Sequence, residues 1–209
     1  MSFKSILSIF FLLISVQLFA QDRAMTATEI APFKKVVSNA VKVKTLSADF
    51  TQYKKLGFVD KEIISSGKIY VVHPEKMSWV YSSPTNYSMI FKNNKIFIND
   101  QGKKNTVDVG KNKQFEKISQ MIANGIAGEL DSSKDYSISY FQNTGFNIVQ
   151  VTPKAKDAQK YIQQIILSFD KKDNQVAEIK LLEPSKNYTR FVLKNIKTNQ
   201  TINEQVFAN

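Results

Sequence analysis

The chain has 209 residues, one histidine, no cysteine and a formal net charge of +11. That length accommodates one domain with a substantial core. The lack of cysteine excludes disulfides, thiolate catalysis, zinc–sulfur sites and a lipid attached at a mature N-terminal cysteine, so any meeting with lipid is non-covalent.

Residues 1–20 read as a secretory signal. Lys4 precedes the apolar run 6–16 (ILSIFFLLISV), and Ala20 supplies a small residue at the cleavage point. The run is too short to span a bilayer, which takes about 20 residues. Residues 21–209 then form a single domain. Losing Lys4 with the signal leaves the mature chain at +10 from +11. Such a charge aids solubility and also suits an anionic partner, a membrane surface or an acidic protein. The lysines are scattered (54–55, 103–104, 171–172) rather than gathered with aromatics, so no nucleic-acid partner is expected.

Thr26 and Thr28 are candidate N-caps with Glu29 in the first turn, and Ile30, Phe33, Val37, Ala40 and Val41 recur at helical spacing. Alternation then takes over, with Leu46, Ala48 and Phe50 on one face. Further alternating runs cover 63–72, 76–82, 87–92, 95–99, 136–141, 146–152, 161–169, 176–182 and 188–196, with 199–206 as an additional candidate. Turn signals at Asn93-Asn94, Gln101-Gly102, Asn143-Thr144-Gly145 and Lys171–Asn174 separate them. One segment breaks the series: within 111–130, Phe115, Ile118, Ile122 and Ile126 define an amphipathic helix, weakened near its end by Gly125 and Gly128. Residues 153–160 suit a polar loop or short helix. The plan is α+β, an antiparallel meander with helices on one face.

A two-residue turn at Asn93-Asn94 pairs Lys92 with Lys95, Phe91 with Ile96, and Met89 with Ile98, which places the apolar members on one face. Alternate steps also align Met77, Trp79 and Tyr81; Ile165, Leu167 and Phe169; Ala177, Ile179 and Leu181; and Phe191 with Leu193. The sheet therefore has one strongly apolar side. Packing on helices accounts for that side, and so does a ligand cavity under an incomplete cover; two helices hardly suffice to cover ten strands.

Catalytic signatures are missing. His73 stands alone before Pro74 and suits a turn better than a base, and no nucleophile elbow, phosphate loop or dinucleotide fingerprint is present. Asp170, Asp173 and Asn174 faintly suggest a cation loop, but Lys171 and Lys172 between them favour a plain turn. No metal, cofactor or enzymatic activity is expected.

Several short motifs follow one another after the export signal: Leu46-Ser47-Ala48-Asp49-Phe50-Thr51-Gln52, Ser66-Gly67-Lys68-Ile69-Tyr70, Pro74, Met77-Ser78-Trp79 with Tyr81 and Pro84, Asn94-Lys95-Ile96, Asn187-Tyr188-Thr189-Arg190-Phe191, and Asn195-Ile196. In order and spacing they resemble the periplasmic outer-membrane lipoprotein carriers of the LolA type. The resemblance implies an incomplete β-barrel, a strongly curved antiparallel sheet of about ten or eleven strands with helices over its apolar concave face. It implies acylated lipoproteins as cargo, received from an inner-membrane ABC transporter and passed to an outer-membrane acceptor, by a periplasmic monomer. The positions matching Met77 and Trp79 face the interior in that family.

The candidate acyl-contacting residues are thus Phe50, Ile69, Met77, Trp79, Tyr81, Met89, Phe91, Ile96, Ile98, Phe115, Ile118, Ile122, Ile126, Leu167, Phe169, Ile179, Phe191 and Leu193. Many members carry an Arg before the matching Pro that latches the lid. Here His73 stands there, with one neutral donor where guanidinium has five. Two other functions use the same features: an interaction or sensor domain of this fold, favoured by a filled core, and a lipid-metabolising enzyme, favoured by converging acids at a pocket mouth.

Overall fold

The computed structural model describes residues 22–40, 43–73, 76–108 and 136–208. Twelve strands form one sheet: β1 (Arg23–Ala24), β2 (Thr45–Lys55), β3 (Ile63–Val72), β4 (Lys76–Ser83), β5 (Tyr87–Lys92), β6 (Lys95–Asp100), β7 (Lys103–Asp108), β8 (Tyr136–Gln142), β9 (Phe146–Pro153), β10 (Gln164–Asp170), β11 (Val176–Leu182) and β12 (Tyr188–Thr198). Their spatial order is β1-β8-β9-β10-β11-β12-β2-β3-β4-β5-β6-β7. Every neighbouring pair is antiparallel. The ends, β1 and β7, do not pair, so the sheet is an open one. Two α-helices are described, α1 (Ala27–Ala40) and the single turn α2 (Lys156–Gln159).

Local chemistry explains the elements. Helix α1 starts where the Glu29 carboxylate turns back to accept the Thr26 backbone N–H at 2.9 Å, the carboxylate half of a capping box. The Arg23 guanidinium, then Thr26, hold Glu29 well below the usual carboxylate range. The β5–β6 hairpin turns on Asn93 and Asn94, both with positive φ (53° and 56°), as a two-residue turn requires. Its register pairs Lys92 with Lys95, Phe91 with Ile96 and Met89 with Ile98, as the sequence predicts. In the turn after β10, Asp170 Oδ1 accepts from the Lys172 N–H (2.8 Å) and Asp173 Oδ1 from the Gln175 N–H (2.9 Å); both carboxylates serve backbone donors.

The sheet curls sharply. β12 and β4 lie three strand positions apart, about 14 Å on a flat sheet at ~4.8 Å per strand. Yet the rings of Phe191 and Trp79 lie 5.5 Å apart. The bend has a local device at Gly67: the β3–β4 register slips between Ser66 and Gly67, so that Ser66 faces Ser83 and Gly67 faces Tyr81. The backbones approach so closely there that a Cβ on Gly67 would sit 2.0 Å from the Val80 carbonyl oxygen.

The outer face is polar. Glu178 pairs with Arg190 at 3.2 Å, Arg190 stacks over Tyr53, and Lys180 lies over Tyr188. Asp49 binds Lys68 and Asn195. The Asn195 amide, then Lys68, lower its carboxyl below the ordinary range.

Two expectations need correction. Residues 199–206 form no strand. The Asn203 side chain accepts the Gln205 N–H at 3.0 Å and starts a tight turn, Glu204–Phe207, in place of an extended run. That turn lies on the outer face of β4 and β5: Phe207 is buried, its carbonyl accepts from Lys92 Nζ at 2.7 Å, and Lys76 pairs with Glu204. Conversely, β7 has no apolar alternation and every residue in it is exposed, so the sequence does not announce it; it forms by zipping onto β6 across the Gln101–Gly102 turn. With the two-residue strand β1, which the sequence also does not announce, the described residues hold twelve strands. The expected helix at 111–130 lies outside the described residues.

Candidate functional site

The strand registers place every candidate within the described residues on one side of the sheet. Leu193 opposes Phe50, and Phe191 opposes Ile179 and Gln52. Ile69 opposes Trp79, Trp79 opposes Met89, and Met77 opposes Phe91, which continues to Ile96. Leu167 opposes Ile179, and Phe169 continues the row along β10. Since cross-strand partners share a face, these residues form one apolar band from β10 to β6. Phe115, Ile118, Ile122 and Ile126 lie outside the described residues.

Packing divides the band. Towards β8–β10, helix α1 lies on it: the Phe33 ring meets Phe169 edge-on at 5.4 Å and Tyr140 at 6.3 Å, and Val37 is buried beside it. Leu167, Phe169 and Ile179 are each only 1% exposed. Towards β2–β5 the band becomes aromatic. Phe50 contacts Tyr81 at 4.9 Å, Phe191 at 5.9 Å and Trp79 at 6.5 Å, with rings near perpendicular, the favourable edge-to-face arrangement. Tyr87 extends the cluster from Tyr81 at 5.7 Å. Trp79, Tyr81, Met89, Phe91 and Ile98 are only half-buried. Phe50, Ile69 and Met77 beneath them are buried.

A few polar groups punctuate this end. The Tyr81 hydroxyl donates to Gln52 Oε1 at 2.6 Å. Burial pushes the Tyr81 phenol up to about 12, and burial likewise raises Tyr87. The Trp79 indole nitrogen is buried and has no hydrogen-bond acceptor among the described residues. Leaving such a donor unpaired costs on the order of 1–3 kcal/mol. Gln52 and Tyr87 were missed as site residues, although the alternate steps 46, 48, 50, 52 and 87, 89, 91 mark both. His73 lies in the turn after β3, half-buried, with its backbone N–H donating to the Lys44 carbonyl at 2.9 Å. Among the described residues, no group of three His, Cys, Asp or Glu side chains could hold a metal ion.

The model of the family described as outer membrane lipoprotein carrier protein LolA matches residues 41–209. The chain belongs to the LolA family. The LolA match begins after α1 and takes in both parts of the apolar band. An outer-membrane lipoprotein carrier protein from Chromobacterium violaceum is 26% identical over 183 residues, 87% of this chain and 83% of that protein. Among solved structures, the chain is similar to lipoprotein LppX from Mycobacterium tuberculosis (TM-score 0.49, 8% identity, 85% of this chain and 99% of that one). It is also similar to a LolA superfamily protein from Nitrosomonas europaea (TM-score 0.42, 8% identity, 84% and 97%).

Proposed function

We propose that this chain is a soluble periplasmic carrier that holds the acyl chains of lipoproteins against the concave side of its sheet and ferries them from the inner to the outer membrane. The observation that carries the reading is the aromatic end of the apolar band, where Trp79, Tyr81 and Phe91 line a curled face and remain only half-buried. The family membership supports the cargo class, and the apolar run at 6–16 supports export. Binding rather than catalysis is the role assigned. An inner-membrane ABC transporter loads the carrier and an outer-membrane acceptor empties it.

The energetics suit the task. Exposing one acyl chain of about fourteen methylenes to water costs on the order of 11 kcal/mol, at about 0.8 per methylene. A lipoprotein with several chains does not cross an aqueous space unaided. The carrier must cover most of that surface and still release it.

Native mass spectrometry of the protein isolated from its own periplasm tests the proposal, together with titration by a triacylated lipopeptide. Bound lipidated species, and a blue shift of the lone Trp79 emission on titration, are expected. A lipid-free protein that also ignores the lipopeptide would refute it.

A further inference from the structure

The unpaired Trp79 N–H bears on what the carrier reading leaves open: which part of a lipid this end of the face receives. The indole stands in the middle of β4, between cross-strand partners Ile69 and Met89, with the Phe50 and Phe191 rings 6.5 and 5.5 Å from its own. None of these four side chains offers an oxygen or nitrogen. The N–H is buried and meets no acceptor among the described residues. Buried tryptophan usually finds a partner; this donor has none among the described residues, and a guest that parts the surrounding rings can supply one. On the same face Gln52 Oε1 already takes the Tyr81 hydroxyl proton, and Gln52 lies opposite Phe191 in the ladder.

A purely hydrocarbon guest leaves the indole unpaired. A guest with a hydrogen-bond acceptor at the root of its acyl chain pairs it. Resting on the carrier reading, we propose that Trp79 Nε1–H donates to an acyl carbonyl oxygen, of an ester or amide linkage. The aromatic end would thus receive the acyl–glyceryl junction and select acylated over merely alkylated lipid. The surrounding rings keep water from competing for the same oxygen.

The test compares an ester-linked diacyl lipopeptide with its ether-linked dialkyl analogue of equal chain length, titrated into the full mature protein and its Trp79→Phe variant. Wild type should bind the ester about tenfold more tightly, which is about 1.4 kcal/mol, and Trp79→Phe should reduce that ratio towards one. A second readout needs no variant: Trp79 is the only tryptophan, so its indole N–H proton resonance should move downfield with the ester probe and not with the ether. Equal binding of both probes to wild type, with an N–H resonance indifferent to the linkage, would overturn the assignment and leave the carrier reading standing. If neither probe binds, the carrier reading falls and this assignment with it.

Discussion

Gly67→Ala tests the origin of the curl. The new Cβ would lie 2.0 Å from the Val80 carbonyl oxygen and 2.8 Å from Tyr81 Cα. Both are backbone atoms, so no side-chain rotation relieves the contact. Ordinary contact needs about 3.5 Å, so β3 and β4 must part by on the order of 1.5 Å at this point. Ladder hydrogen bonds near ~2.9 Å do not survive that displacement. Losing two or three at about 1 kcal/mol each, on top of an overpacking cost of roughly 1–3 kcal/mol, gives a destabilisation of about 3–6 kcal/mol. On the carrier reading part of that loss would also reach binding, because Tyr81 faces Gly67 and packs on Phe50. Urea unfolding is the assay, and Gly145→Ala is the control: its Cβ would find nothing nearer than the Asn143 side chain at 3.9 Å, so a change within about 0.5 kcal/mol is expected. A Gly67→Ala protein as stable as the control would refute the close-approach account of the bend.

Burial raises the Tyr81 pKa to about 12, whereas an unfolded tyrosine titrates near 10. The stability from keeping Tyr81 neutral is therefore fully present below about pH 10 and is lost as pH rises towards 12. The gap in unfolding free energy between wild type and Tyr81→Phe should shrink by up to about 1.4 kcal/mol per pH unit above pH ~10; a gap that stays flat between pH ~9 and ~11 contradicts the assignment. Phe207→Ala removes the buried anchor of the C-terminal turn on β4 and β5, and urea unfolding should register a loss of about 3 kcal/mol, with a neutral result showing that the turn contributes nothing to the fold. On the carrier reading, hydrogen bonds from His73 are worth about 1–2 kcal/mol, small against acyl burial, so His73→Ala should leave lipopeptide transfer nearly intact while His73→Arg slows loading. Retained binding with release abolished in His73→Ala would make His73 a working latch.

How far the sequence reveals this molecule depends on the range of the interaction. The period-two rows along β4, β5, β10 and β12 are local, and the Asn93-Asn94 turn fixes a register, so the face assignments transfer directly to the sheet. The polar strand β7 is invisible because its pairing with β6, not its own side chains, holds it in place. The turn at Glu204–Phe207 is misread as a strand because its apolar anchor needs a distant partner surface on β4 and β5. The curl was implied only by family resemblance. Its physical cause, a register slip where Gly67 lets two backbones touch, involves residues that no local pattern connects.

Alternation is equally blind to how a face is used, because core and guest surfaces are chemically alike. The division in this band comes from long-range contacts such as Phe33 against Phe169 and Tyr140. Apolar surface already removed from water by the fold has little left to gain from a ligand. On the carrier reading Leu167, Phe169 and Ile179, almost wholly buried, serve only as a wall. Trp79, Tyr81, Met89, Phe91 and Ile98 retain accessible surface, and it is this unspent area that an acyl chain can cover. On that reading, truncating Leu167 or Ile179 to alanine lowers stability by about 2–5 kcal/mol before it touches affinity. Truncating Phe91 or Ile98 weakens lipopeptide binding while costing the fold less. Equal effects of both sets on binding, measured at matched fractions folded, would mean that the band is one uniform core and that its guest lies elsewhere.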